Sequence, residues 1–239
     1  MSARVLLIED DASIARFVAL ALEELTVDLS TAGTLAEARQ QLAQQRFDAV
    51  ITDLMLPDGS SIELMEAGHA RQGTPWIAFS AGLTPERLAS LHELGVQQTL
   101  RKPVSLAALL DAVSSALQAS EPTSAAPASE VPPPARRAAA VDEHFGGDAA
   151  MFDAFLAGCL ARFADDLQRG HAALASQDLA TLRHVSHGLK AVLSLIGEPA
   201  LAQHARALED ACAASQPAEA AHHWPPLAQG LDALRREGR

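Results

Sequence analysis

The chain has 239 residues, 49% of them hydrophobic, and its 18 basic and 30 acidic side chains give a formal net charge of −12 at pH 7. Residues 1–118 carry a net charge of −7 (8 basic, 15 acidic) and residues 141–239 carry −5 (8 basic, 13 acidic), so neither part offers a basic face for nucleic acid. Two cysteines, no long apolar run and no charged leader before an apolar core predict a cytoplasmic protein without a disulfide framework or a membrane span.

The first half of the chain alternates short β-type runs with helical stretches. Thr34 with Glu37 forms a capping box, Thr84 precedes a proline at the first helical position, and Ser105 precedes another helix. Five βα units predict a parallel, doubly wound α/β sheet. The predicted strands are Val5–Ile8, Val27–Thr31, Ala49–Thr52, Trp76–Phe79 and Thr99–Leu100.

Residues 119–140 are rich in Ala, Pro and Ser and have no apolar periodicity. Such a segment cannot bury enough surface to offset the entropy of ordering, so we predict a flexible linker. A flexible linker of this length has an end-to-end distance of about 26 Å.

The remainder of the chain reads as four helices, at about 149–175, 179–196, 200–214 and 219–236. Asp178 is the expected N-cap of the second, and Pro199 opens the third. The Trp224-Pro225-Pro226 step is expected to interrupt the last helix or delay its start. Short loops between the helices predict an antiparallel four-helix bundle.

Charged and polar residues follow four of the predicted strands: Glu9-Asp10-Asp11, Asp53, Ser80 and Lys102. The carboxyl ends of parallel strands form the edge where open α/β sheets bind ligands. Acidic groups converging there would hold a hard cation such as Mg²⁺, and Asp53 could then attack a phosphoryl group. Lys102 would bind the phosphate as a point charge, and Ser80 would donate a hydrogen bond.

The runs LLIEDD, DAVITDLMLPDG, WIAFSA and LRKPVS, in this order, resemble the receiver domain of response regulators over residues 1–118. The resemblance implies a flavodoxin-like sheet with strand order 2-1-3-4-5. It also implies that Glu9 and Asp10 are the acidic metal pair, that Asp53 is phosphorylated, that the Met55 carbonyl is a further metal ligand, and that Ser80 and Lys102 are the switch hydroxyl and phosphate-binding lysine. Many receivers carry an aromatic three residues before the lysine, and here this residue is Thr99.

On a helical wheel, His187 lies about 180° from the apolar stripe of its helix, so the sequence predicts that its imidazole faces solvent. Lys190 lies one turn later on the same side and His184 one turn earlier. A neutral imidazole is a good phosphoryl acceptor, and Lys190 would attract the phosphoryl oxygens. The stripe consists of Leu182, Val185, Leu189, Val192 and Ile196.

Several short runs resemble a histidine-containing phosphotransfer (HPt) domain over residues 141–239: His187-Gly-Leu-Lys190, Leu195-Ile-Gly197, Leu208-Glu209, Phe145-Gly-Gly and Phe163. This resemblance implies that His187 is the phosphoacceptor, with His184 as a rival. The family commonly has glycine after the lysine, where this chain has Ala191, and one extra methyl group is a small obstacle to a docking receiver.

These features together favour a phosphorelay protein that shuttles a phosphoryl group between Asp53 and His187 or outside carriers. Its partners would be a hybrid sensor histidine kinase or other receivers. A binding regulator whose helical domain docks partners without transfer is the alternative, and a metal-dependent phosphatase ranks lower because a second acid is missing. A histidine kinase is disfavoured because no glycine-rich nucleotide loop is present, and the scattered histidines lack the spacing of a zinc site.

Overall fold

The computed structural model describes residues 2–23, 25–71, 73–80, 84–118 and 133–237, with the side chains of these residues apart from 71, 80, 85 and 133–136. The chain divides into two compact units, Met1–Glu130 and Val131–Arg239. Within the described ranges, no helix is both long and apolar enough to cross a membrane.

The first unit contains seven described strands and five described α-helices. The strands are β1 (Ala3–Ile8), β2 (Val27–Ala32), β3 (Ala49–Asp53), β4 (Met55–Leu56), β5 (Gly59–Ser60), β6 (Trp76–Ser80) and β7 (Gln98–Arg101). The helices are α1 (Ala12–Leu22), α2 (Leu35–Gln44), α3 (Ile62–Glu66), α4 (Pro85–Glu93) and α5 (Leu106–Gln118). A short 3₁₀ turn spans His69–Arg71.

Five of these strands form one parallel sheet in the order β2-β1-β3-β6-β7, while β4 and β5 form a separate hairpin. Leaving the hairpin aside, this is the predicted order 2-1-3-4-5, and the doubly wound fold is confirmed. Every residue of β3 is buried, as the continuous apolar runs of a sheet covered on both faces require. Alternate residues of each strand face opposite sides of the sheet. One side of the sheet packs against α2, α3 and α4, and α1 packs beside α5.

Helix starts follow the predicted capping chemistry. The hydroxyl of Thr34 accepts a hydrogen bond from the amide of Glu37, and the hydroxyl of Thr84 accepts one from the amide of Arg87. The Glu37 carboxylate accepts the amide of Gly33, one residue earlier than in a capping box. Each such cap stabilises its helix by about 1 kcal/mol, so local sequence determines much of the helix placement.

The second unit is helical throughout its described residues. Its helices are α6 (Pro133–Phe145), α7 (Ala149–Ser176), α8 (Leu179–Leu195), α9 (Pro199–Ala213) and α10 (Pro217–Glu237). Helix α7 packs against α8 and α10, and α9 packs against α8 and α10, which closes the predicted four-helix bundle. The carboxylate of Asp178 accepts the amide of Thr181 at the start of α8, as predicted.

Two details differ from the sequence prediction. Residues 133–140, assigned above to the linker, are the first turns of α6, which begins with Pro133 and ends at the fully buried Phe145. The ring of Phe145 lies 5.2 Å from that of Phe152, so contact with α7 stabilises a helix that composition alone does not predict. Helix α10 also continues through Pro225 and Pro226, because burial of its apolar face outweighs the lost amide donors.

Candidate functional sites

Strand register brings three of the predicted residues together at the carboxyl edge of the sheet. Ile8 pairs with Thr52 across β1 and β3, so the next residues, Glu9 and Asp53, stand side by side. Arg101 is the last residue of β7, and Lys102 follows it at the same edge. All three charged side chains are buried. The sheet topology therefore builds a compact ionic site from residues more than 90 positions apart in sequence.

The ammonium of Lys102 lies between the two carboxylates. Its Nζ donates to Asp53 Oδ2 at 2.5 Å and to Glu9 Oε2 at 2.8 Å. Burial alone would lower the pKa of Lys102, but the two carboxylates outweigh burial and raise it, so this lysine stays charged. Burial raises the pKa of Glu9 to about 8; Lys102 opposes this rise and Asp53 adds to it. One buried cation therefore faces two carboxyl groups.

The backbone after β3 fixes the Asp53 carboxylate. Asp53 Oδ1 accepts the amide of Met55 at 3.0 Å, while Oδ2 faces Lys102. The carbonyl oxygen of Asp53 accepts the hydroxyls of Ser61 at 2.6 Å and Thr52 at 2.8 Å. The nucleophile predicted from sequence thus has a defined orientation before any ligand arrives.

The other predicted groups of this edge have different positions. Asp11 is the N-cap of α1, where its carboxylate accepts the amides of Ser13 and Ile14. Asp10 is half-buried and precedes this cap, and Met55 begins the β4–β5 hairpin two residues after the phosphoacceptor candidate Asp53. Ser80 ends β6 at the same edge, but its side chain lies outside the described residues. Of these groups, Asp11 thus has a structural role as a helix cap.

The donor chemistry of this edge fits Mg²⁺. Glu9, Asp10 and Asp53 offer carboxylate oxygens and Met55 a carbonyl oxygen, which are the ligands that hard divalent cations prefer. Two of these carboxylates already share one cation, the Lys102 ammonium. Within the described ranges, no three His, Cys, Asp or Glu side chains stand close enough to hold a metal ion as they are now oriented. The carboxylates that would suit a metal ion are therefore the same ones that bind the Lys102 ammonium.

A second ionic cluster joins α8 and α9. His187 Nδ1 lies 2.7 Å from Glu209 Oε1, and Lys190 Nζ donates to Glu209 Oε2 at 2.5 Å. The exposed side-chain fractions are 14% for His187, 12% for Glu209 and 17% for Lys190. The three groups are thus mostly shielded from water, and the Nε2 atom of His187 is itself buried.

The cluster also sets the protonation of its members. Burial alone would raise the pKa of Glu209, but hydrogen bonds from His187 and Lys190 outweigh it and lower the pKa to about 2. A carboxylate can only accept, so the proton between the two residues belongs to His187 Nδ1. In the neutral imidazole, the lone pair is consequently on Nε2.

The His187 side chain is less exposed to solvent than the sequence predicts. Its imidazole is 14% exposed because Glu209 of the neighbouring helix packs against it, and a wheel of α8 contains no information about α9. Glu209 was noted above only as part of a resemblance. Its one sequence signal is a carboxylate on the buried stripe of α9, four residues after Ala205 and three before Cys212.

The remaining histidines do not join this cluster. His184 is half-buried, and Ala191 is buried in the bundle. His171 Nδ1 accepts the indole N–H of Trp224 at 3.1 Å. The rings of His204 and His222 lie 6.2 Å and 5.3 Å from the ring of His223.

Comparison with known proteins gives relatives for the first unit. The response regulator protein PilR of Pseudomonas aeruginosa is 30% identical over 120 residues, which are 50% of this chain and 27% of PilR. The swarming motility regulation protein RssB of Serratia marcescens is 32% identical over 110 residues, which are 46% of this chain and 50% of RssB. The chain thus spans half or less of the length of these curated relatives.

Solved receiver structures and family models extend the comparison. The receiver domain of HemR from Leptospira biflexa is 27% identical, with a TM-score of 0.47 and coverage of 52% of this chain and 100% of that chain. The chemotaxis response regulator CheY4 of Vibrio cholerae is 26% identical, with a TM-score of 0.45 and coverage of 49% and 100%. The response regulator receiver domain model matches residues 5–114, and the Hpt domain model matches residues 154–237. The chain therefore contains a response regulator receiver domain followed by an Hpt domain.

Proposed function

We propose that this chain is a two-component phosphorelay protein, which accepts phosphoryl groups on Asp53, with Mg²⁺, and on His187, and passes them between aspartate and histidine carriers. The observation that carries the proposal is that each candidate acceptor lies in an ionic cluster with a lysine, Lys102 in one unit and Lys190 in the other. A lysine beside the acceptor supplies the positive charge that a transferred phosphoryl group requires.

At the first site, a carboxylate oxygen of Asp53 bonds to phosphorus while the bond from phosphorus to the donor's nitrogen or oxygen breaks. The electron pair of the broken bond leaves with the donor. Lys102, already within 2.5 Å of Asp53, turns to the new phosphoryl oxygens. Mg²⁺, held by Glu9, Asp10, Asp53 and the Met55 carbonyl, supplies charge neutralisation when bound. Ser80 completes the predicted set by donating to a phosphoryl oxygen.

At the second site, Nε2 of His187 bonds to phosphorus as the bond to an aspartyl oxygen breaks, and the electron pair stays on the departing carboxylate. His187 Nδ1 keeps its proton and donates to Glu209, whose negative charge balances the positive charge that the imidazole acquires. Lys190 moves from Glu209 to the phosphoryl group, one helical turn away. Glu209 is thus a positioning residue for the acceptor.

The two compact units support a division of the chain into two domains. We place the receiver domain at residues 1–118, the linker at 119–132 and the Hpt domain from residue 133 onward, because α6 packs on the bundle. The partners are a hybrid sensor histidine kinase and other receivers. Relatives of the receiver include the CAI-1 autoinducer sensor kinase/phosphatase CqsS of Vibrio cholerae, 25% identical over 114 residues.

Mapping of phosphorylated residues tests the proposal. The full chain is incubated with Mg²⁺ and a small phosphodonor, and separately with a phosphorylated receiver from a sensor kinase, as wild type, Asp53→Ala and His187→Ala. We expect phosphate on Asp53 and on His187, each lost only with its own substitution. Modification of Asp53 without any modification of His187 would leave the Hpt domain as a docking module, and no modification at either residue would refute the relay.

A further inference from the structure

Two adjacent serines bind the backbone immediately after Asp53. The Ser61 hydroxyl donates to the carbonyl oxygen of Asp53 at 2.6 Å, and the Ser60 hydroxyl donates to the carbonyl oxygen of Leu54 at 2.9 Å. Ser61 is completely buried and Ser60 is half-buried. Two consecutive hydroxyls therefore hold two consecutive peptide planes on the strand end that carries the phosphoacceptor candidate.

Ser61 does not have the role that its position predicts. It is the residue before the first turn of α3, where a serine hydroxyl ordinarily accepts an amide of that turn. Here the Ser61 side chain makes no capping hydrogen bond, and only the Ser60 hydroxyl accepts a nearby amide, that of Ile62 at 3.3 Å. The hydroxyl of Ser61 therefore binds the Asp53 carbonyl oxygen and does not cap α3.

The bond from Ser61 is also not needed to satisfy a buried carbonyl. The Asp53 carbonyl oxygen already accepts the Thr52 hydroxyl at 2.8 Å. The Ser61 hydroxyl instead links Asp53 to the far end of the β4–β5 hairpin. The first residue of this hairpin, Met55, donates its amide hydrogen bond to Asp53 Oδ1 at 3.0 Å. Three hydrogen bonds thus fix the backbone from Asp53 to Met55 relative to the Asp53 carboxylate.

We propose that Ser60 and Ser61 are positioning residues that hold the Asp53 carboxylate and the Met55 carbonyl in the arrangement that binds the divalent cation. This inference rests on the proposed function of Asp53. The hydroxyls touch neither metal nor phosphate; they fix the peptide planes between the two oxygen ligands, so that binding does not have to order them.

Direct metal binding to the full chain tests the positioning role. Mn²⁺, a spectroscopic substitute for Mg²⁺, is titrated with the free ion measured by electron paramagnetic resonance, and Mg²⁺ is then used to displace it. Ser61→Ala and Ser60→Ala are each expected to weaken Mn²⁺ binding about fivefold, the effect of one lost hydrogen bond. Ser60→Thr keeps the hydroxyl and should retain wild-type affinity.

Thr74→Val is the matched control. The Thr74 hydroxyl donates to the Phe47 carbonyl at 3.1 Å, the same kind of bond near the opposite edge of the sheet. Its loss should lower stability in urea without changing Mn²⁺ affinity. In phosphorylation by a small phosphodonor, the serine variants should need about fivefold more Mg²⁺ for half-maximal rate and reach the wild-type rate at saturation.

Each outcome decides between positioning and simple stabilisation. Serine variants that bind Mn²⁺ as tightly as wild type overturn the inference, as does a Thr74→Val chain that loses as much affinity as they do. If Ser61→Ala does not fold, Ser60→Ala with its Ser60→Thr rescue decides alone. A wild-type chain that binds neither Mn²⁺ nor Mg²⁺ contradicts the proposed metal dependence itself, which is a different failure.

Discussion

Replacement of Glu209 by glutamine should destabilise the Hpt domain in a pH-dependent way. Its carboxylate accepts from His187 and Lys190, and its pKa falls from 4.5 to about 2. A shift of this size corresponds to about 3 kcal/mol at pH 7, and we expect about 1 to 2 kcal/mol after allowance for the water that still reaches the cluster. A depressed carboxyl pKa stabilises the fold above the unfolded pKa, and this stabilisation is lost as the pH falls through the folded pKa.

Urea unfolding of the full chain, followed by circular dichroism between pH 7 and pH 2, measures this effect. The difference in unfolding free energy between wild type and Glu209→Gln should shrink as the pH falls below 4.5 and be nearly absent at pH 2. Asp210→Asn is the matched control, because Asp210 is the next residue of α9 and is exposed. A difference that is the same at every pH would refute the ionic interpretation and leave only a packing effect.

Three further substitutions are expected to lower the free energy of unfolding. Lys102→Met leaves two buried carboxyl groups without their cation and should lower the unfolding free energy of the receiver by about 3 kcal/mol in urea, less when Mg²⁺ is added. Asp58→Ala removes the carboxylate that accepts two amides at the start of α2, and thermal unfolding should register a loss of about 1 kcal/mol. Gly170→Ala puts a methyl group 1.8 Å from the ring of Trp224, so calorimetry should find the Hpt domain at least 2 kcal/mol less stable.

The receiver site could be predicted from sequence because its geometry follows from topology. Once five parallel strands are recognised, the residues after each strand must meet at one edge, and Glu9, Asp53 and Lys102 do so. The two serines that bind the same segment were missed, because a serine before a helix is ordinarily interpreted as a cap. Their role depends on how the hairpin folds back, which no local pattern specifies.

In the Hpt site, the sequence predicted the two residues of α8 but not their partner on α9. The periodicity of α8 identifies His187 and Lys190 as neighbours, since residues three apart share a helix face. Their common partner Glu209 lies on another helix, and the register between α8 and α9 depends on side-chain packing along both helices. Helix α6 was missed similarly, because the ring of Phe145 finds its partner Phe155 only in the folded bundle.

The two clusters differ in where the lysine is bound before transfer, and this difference bears on how each site accepts a phosphoryl group. In the proposed relay, Lys102 binds the candidate nucleophile Asp53 itself, so the attacking oxygen would have to give up part of its contact with this cation. Lys190 binds Glu209 instead, so the cation of this site contacts a neighbouring carboxylate and not the candidate nucleophile. Phosphorylation adds a charge of about −2 at either acceptor. At Asp53 the new charge stays beside Lys102, whereas at His187 it competes with Glu209 for Lys190. In the proposed relay, this competition would favour onward transfer from His187.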